Sequence, residues 1–408
     1  MSTNFTISIS DHIWSLGPYE NDIDSSTILS FINDKDNFRP FSEGLTLLLK
    51  KYGYTASEDD SKEKTSFLLE HLRQIGVSTI TKKTITNWFR GTNRPALVSN
   101  SRTMMYQICF ALSVSLEDLL WFFHHVYFDR AFNCHVIDEA VYYFCFKNGY
   151  SYEKAQEYIH TIQEFQDVGK DSKIYTNEIQ NFLDSCSTEQ DFLDYFQQNK
   201  ASFSHWNCTA MKKIQDYLSI LQGRASDKKV VSEYLAGYMP SRSEIEACGL
   251  VIQEYILLPT PMLGTIQHKT ITSIDFMLEK ILGNASGLTK AMPLPALVKN
   301  NFPSKKNLSN ILKETTESTS TSYSSIRKTL ILLEFYQFFT RCALNGDAVE
   351  DLFDCFVEEC NTILYECGYE DLFAGNPYDL MFLYFATCED PVNDFRGFIE
   401  EVDLKVEE

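Results

Sequence analysis

Between Thr81 and Gly91, Lys82, Lys83 and Arg90 carry charges that can neutralise phosphates, and Asn87 carries an amide that can read a base edge, usually adenine. Thr84 and Thr86 add hydroxyls to the same stretch, and Arg94 follows just beyond it. No carboxylate interrupts the set. The chain holds 56 Asp and Glu in 408 residues, yet none falls between Thr79 and Leu116, where Lys82, Lys83, Arg90, Arg94 and Arg102 all lie. Such a composition suits a polyanion.

These side chains share a face only if a helix carries them. Thr81 can cap its N-terminus by accepting from a free backbone amide, and Gly91 can close it in a left-handed turn. Ile85, Trp88 and Phe89 then form one buried stripe at i, i+3 and i+4, leaving Lys82, Lys83, Thr84, Thr86, Asn87 and Arg90 outside.

The pattern recurs. Ser304 to Lys313 matches Thr81 to Arg90 without a gap: Lys305, Lys306 and Asn310 are identical to Lys82, Lys83 and Asn87, and the remaining exchanges keep polar or apolar character. Its surroundings, Lys280 to Lys313, also lack acids. Downstream, Phe132, Asp138, Tyr143 and Phe144 have the mutual spacing of Phe373, Asp379, Tyr384 and Phe385. Two copies of one helical module are expected, each with its own basic helix.

Residues Phe41 to Phe123 resemble the helix-turn-helix domain of the phage repressor and Cro class. Phe41 to Tyr54 matches its first helix, Phe67 to Gly76 its second and Thr81 to Gly91 its recognition helix. Asn93, Arg94 and Pro95 are similar to the basic, proline-containing turn that follows, and Thr103 to Leu112 matches the fourth helix. Val114, Ser115, Leu116, Glu117, Asp118 and Leu119 resemble the start of the fifth. An acidic segment, Glu58, Asp59 and Asp60 with Glu63, separates helices one and two. The resemblance implies docking on double-stranded DNA, with Lys82, Lys83, Thr84, Thr86 and Asn87 against bases or phosphates. It also implies a homodimer reading two half-sites, unless the internal duplication supplies both readers within one chain.

Two other constellations could do chemistry. Arg130 and His135 resemble the Arg-x4-His motif of the helical nucleotide-binding ribonucleases, in which the pair would stabilise phosphate charge and move the 2′-hydroxyl proton. The corresponding stretch in the second module, Asp371 to Asn376, keeps neither residue, so a structural role is expected. His124, His125, Cys134 and His135 are metal-ligating types, but their spacing fits no closed zinc site. A phosphate-binding glycine loop, a His-Glu-x-x-His helix and a serine nucleophile elbow are all lacking from the sequence. The expectation is a non-enzyme without cofactor or metal.

Composition sets the wider frame. Only 17 Gly and 11 Pro, with long 3.6-period segments and almost no strict alternation, predict an all-α, multi-helix protein. Residues 1–40 form a polar lead-in, 41–162 the first module with its helical extension, 163–258 a middle helical region and 259–408 the second, degenerate module. Pro259 and Pro261 mark the boundary before that module. Met1 to Ser10 lacks the parts of a signal peptide and no apolar run has membrane-spanning length, so a cytoplasmic protein without a membrane partner is expected. Eleven scattered cysteines without a Cys-x-x-Cys pair read as reduced core residues.

A net charge of −20 opposes nucleic-acid binding only if it is spread evenly. It is not: Gly346 to Glu408 holds eighteen acids against Arg396 and Lys405. The field within a Debye length of about 8–10 Å decides what a face binds. The acidic end, or the aromatic-rich stretch from Trp121 to Tyr158, could instead dock a protein partner, and an adaptor that has lost DNA binding is the alternative expectation.

Overall fold

The computed structural model describes residues 38–95, 99–166, 174, 176–205, 207–221, 323–345, 352–392, 394, 395 and 398. These residues hold thirteen α-helices, one π-helical turn and no strand. None of the described helices is long and apolar enough to cross a membrane.

Five helices build the first layer: α1 (Phe41–Lys51), α2 (Ser61–Gln74), α3 (Lys82–Phe89), α4 (Ser99–Ala111) and α5 (Leu116–Phe122). Their apolar stripes converge on Leu45, Leu49, Leu68, Ile85, Met105, Leu119 and Phe122, each without exposed surface. Helix α2 starts six residues earlier than the sequence suggested, because Asp60 accepts from the amides of Lys62 at 2.7 Å and Glu63 at 3.0 Å. The acidic segment is therefore a helix cap, placed where the dipole favours negative charge. At the far end of α1, Asp118 of α5 accepts from Lys51 Nζ and from the Tyr52 hydroxyl, both at 2.5 Å, and the Tyr52 oxygen accepts from the amide of Ser115 at 2.9 Å. Helices α1 and α5 are thus tied at one corner.

The apolar spacing from Ser115 to Phe128 predicts one continuous helix, but the segment divides in two. After Phe122 the backbone widens into the π-turn Phe123–Tyr127, and Phe128 leaves it in the left-handed region at φ 62°. Phe123, Val126 and Tyr127 of this turn are fully buried beside α1 and α4. Beyond it, α6 (Ile137–Asn148), α7 (Tyr152–Glu164), α8 (Thr176–Ser185) and α9 (Glu189–His205) pack around stacked rings. Phe144 lies 4.0 Å from Phe192 and Phe182 lies 3.8 Å from Tyr195, centroid to centroid. Phe122, Phe123, Tyr127, Phe128, Phe132, Tyr142, Phe144 and Tyr158 are all buried, so most of the aromatic density between Trp121 and Tyr158 is core.

The remaining helices are α10 (Asn207–Leu221), α11 (Tyr323–Asn345), α12 (Leu352–Glu366) and α13 (Pro377–Phe385). Phe335 of α11 sits between Phe356 of α12 and Phe382 of α13, at 5.8 and 5.2 Å. The sequence also predicts helices at Thr27–Asn33, Ser241–Leu257 and Ile271–Leu282; these, the basic stretch Ser304–Lys313 and the break at Pro259–Pro261 lie outside the described residues.

An arginine paired with a buried carboxylate organises each half, Arg102 fully buried and Arg327 partly so. In the first, Arg102 of α4 holds Glu139 of α6 with Nε–Oε1 at 2.8 Å and Nη2–Oε2 at 2.7 Å, while Nη1 donates to the Arg130 carbonyl at 2.8 Å. Glu139 also accepts from the amide of Asn133 at 2.7 Å. In the second, Arg327 of α11 holds Asp379 of α13 at 2.9 and 2.8 Å, and donates to the Asp371 carbonyl at 3.0 Å. Asp379 accepts from the amide of Phe373 at 2.9 Å. Each arginine fastens the loop before a helix to that helix's own carboxylate. Forked guanidinium geometry makes such a buried pair specific.

Candidate nucleic-acid interface

Helix α3 is short, and its ends are fixed by side chain and backbone alike. Thr81 is extended, and its Oγ1 accepts from the amide of Thr84 at 3.1 Å. Gly91 closes the helix at φ 65°, a conformation in which a Cβ would be strained. From behind, Trp88 packs edge-on against Phe41 at 5.7 Å, and the Lys64 ammonium lies 5.0 Å from the centre of the Phe89 ring. Lys64 is itself buried and donates to Thr46 Oγ1 at 3.0 Å. Desolvation lowers its pKa. Helix α3 is thereby anchored on α1 and α2, and the cations of its outer face are exposed.

On that face, Lys82, Lys83 and Arg90 are exposed, and Thr84 and Asn87 are partly exposed. Among the described residues, no ion pair involves Lys82, Lys83 or Arg90. Thr86 is less available: its hydroxyl donates to the Lys82 carbonyl at 2.8 Å and meets Thr65 Oγ1 of α2 at 3.2 Å. It joins the two helices of the turn.

Arg94 is a correction. The sequence places it with the phosphate-facing cations, but it is only 7% exposed. Its Nη2 donates to the carbonyls of Val126 at 3.2 Å and Tyr127 at 2.7 Å, and its guanidinium lies 4.7 Å from the Phe128 ring centre. The widened π-turn leaves carbonyls that need a donor, and Arg94 supplies it. Burial lowers its pKa. Arg102 likewise turns inward, so two of the five cations in the acid-free stretch build the interior. Lys305, Lys306 and Asn310 lie outside the described residues.

Arg130 and His135 are placed for packing. Arg130 faces Glu370, with Nε 3.0 Å from Oε2, donates to the carbonyls of Asp371 and Leu372, and lies over the Phe373 ring. His135 is 2% exposed and sits beside Phe203 at 6.1 Å, with desolvation holding its pKa down at about 4. The ring is neutral at neutral pH. His124 packs on Phe373 at 5.2 Å, with its pKa lowered by burial to about 4. Among the described residues, no three His, Cys, Asp or Glu side chains are grouped to hold a metal ion.

Sequence reasoning missed the arginine clamps. Arg102 stood out only as one more base, and Glu139 not at all. The available signal was a lone arginine, with Tyr106 one turn on, in a helix otherwise rich in apolar residues. No family model, curated protein or solved structure matches the chain.

Proposed function

We propose that the protein is a non-catalytic regulator that docks α3 on double-stranded DNA. The observation that carries this is the exposed trio Lys82, Lys83 and Arg90 on a capped helix whose opposite side, Ile85, Trp88 and Phe89, is locked into the core. A rigid helix with free cations pays little ordering entropy when it meets phosphates. Asn87 and Thr84, partly exposed between those cations, offer an amide and a hydroxyl to base edges in the major groove. The short third helix, turned outward, supports this reading, because helix-turn-helix domains lay one such helix in the major groove.

Catalysis receives no such support. A general acid-base pair must reach its substrate, and Arg130 is turned to Glu370 and two carbonyls while His135 is buried. A gel shift with the full chain and mixed-sequence duplex tests the proposal. Replacing Lys82, Lys83 and Arg90 together by Ala should remove retention while the far-ultraviolet circular dichroism stays unchanged. Equal retention before and after the change would refute it.

A further inference from the structure

The loop and the carboxylate of each arginine clamp correspond residue by residue, although the arginines themselves, Arg102 and Arg327, are 225 apart. Phe128 and Gly368 are both left-handed, at φ 62° and 77°. The amide of Val136 donates to the Asn133 carbonyl at 2.8 Å, and the amide of Asn376 to the Phe373 carbonyl at 2.8 Å. Val136 and Asn376 are extended caps, at φ −90°, ψ 116° and φ −91°, ψ 122°. Asn133 and Phe373 give their amides to Glu139 and Asp379. Every one of these pairs is separated by the same 240 residues, one fewer than the aromatic spacing in the sequence suggested.

The corresponding segments also touch one another, and in a reciprocal pattern. Arg130 pairs with Glu370, its own counterpart. Asp129, just before Arg130, accepts from the Asn376 side chain at 3.2 Å, beyond Glu370. His135, beyond Arg130, packs on Gly368, just before Glu370, so closely that a Cβ on that glycine would come within 3.0 Å of Nε2. His124, well before Arg130, meets Phe373. Positions ahead of the centre in one segment therefore meet positions behind it in the other. Two copies related by a two-fold axis make contacts of this kind, and only positions near the axis meet their own equivalents.

We infer that the chain is a single-chain pseudodimer: segment 368–376 occupies, on segment 124–136, the place that a second copy would take in an isologous dimer, with the local axis passing through Arg130 and Glu370. The asymmetry at the axis makes the pairing specific. Two first segments would set Arg130 against Arg130, and two second segments would set Glu370 against Glu370, whereas the mixed pair is neutral. The surrounding charges, buried or half-buried, balance as well, Arg102, Arg327 and Lys328 facing Asp129, Glu139 and Asp379. Like charges brought together out of water are costly, so the wrong pairings are excluded and homodimerisation through this surface is blocked. The pairing of the two segments is independent of DNA binding.

Charge exchange in the full chain tests it. R130E and E370R should each lower the midpoint of thermal unfolding, and R130E/E370R should recover at least half of the combined loss. If the reversals prevent folding, R130Q, E370Q and their double variant supply the same cycle without like-charge contact, and the double should lose less than the sum of the singles. Strictly additive losses would overturn the inference. So would a wild-type dimer in native mass spectrometry that R130E dissociates, because the segment would then pair between chains.

Discussion

Arg102 and Glu139 lie on different helices and meet through two parallel hydrogen bonds of 2.8 and 2.7 Å, with only 2% of the Arg102 side chain and 8% of the Glu139 side chain exposed. Both charges are compensated there: Arg102 also reaches Asp129 at 2.7 Å and the Arg130 carbonyl, and Glu139 accepts from the amide of Asn133. Breaking one side leaves the other charge buried.

Arg102→Met is therefore expected to cost about 3–5 kcal/mol in chemical denaturation, the usual consequence of orphaning one member of a buried pair, since Glu139 keeps only the neutral donors Tyr106 and Asn133. Replacing both residues by apolar ones, as in Arg102→Met with Glu139→Leu, should cost less than Arg102→Met alone. A larger loss in the double variant would mean that the pair is stabilising in its own right.

Glu334 makes stability depend on pH near neutrality. It is fully buried on α11, and desolvation first, then the charge of Glu359 on α12, pushes its pKa up to about 7. Tyr217 and Lys213 on α10 and Arg341 on α11 pull the other way, too weakly to offset burial. The folded protein holds a proton that the unfolded chain releases above the ordinary carboxylate range. Its contribution is thus complete below about pH 4.5 and is lost as the pH rises toward 7. Glu334→Gln should remove that dependence and leave the variant more stable than wild type at about pH 8, by on the order of 1–3 kcal/mol. Parallel stability curves for the two proteins between about pH 5 and 8 would argue against a buried, protonated Glu334.

Arg90 and Arg94 lie four positions apart and should separate cleanly by experiment. Arg94→Ala strips a donor from the carbonyls of Val126 and Tyr127 and should cost about 1–3 kcal/mol in stability, with little change in the DNA affinity of the folded protein. Arg90→Ala should change stability by less than about 0.5 kcal/mol and weaken binding. Urea titration and fluorescence anisotropy on both variants check the reversal.

These contrasts show what local pattern could and could not reveal. The Thr81 cap, the Gly91 stop and the stripe Ile85, Trp88, Phe89 are encoded within one helix, so spacing alone placed α3. The Ser115 and Ser151 caps are local in the same way: each hydroxyl accepts from an amide three residues on. Arg94 was misplaced because its partners lie more than thirty residues away on a π-turn that no local periodicity announces. The match between Asp138 and Asp379 was one residue out of register. Identity favoured equal side chains, while the backbone geometry pairs Asp379 with Glu139. A chain with 14% aromatic residues also offers coincidental ring matches at neighbouring offsets.

The central claim is that Lys82, Lys83 and Arg90 meet phosphates, and the salt dependence of binding tests it most directly. Each phosphate neutralised contributes about −0.9 to the slope of log affinity against log salt concentration. If all three cations engage, affinity for a mixed-sequence duplex should fall by about forty-fold between about 50 and 200 mM salt, and the triple Ala variant should lose roughly three units of slope. A wild-type affinity that does not change with salt, or a slope that the triple variant leaves intact, would contradict the account.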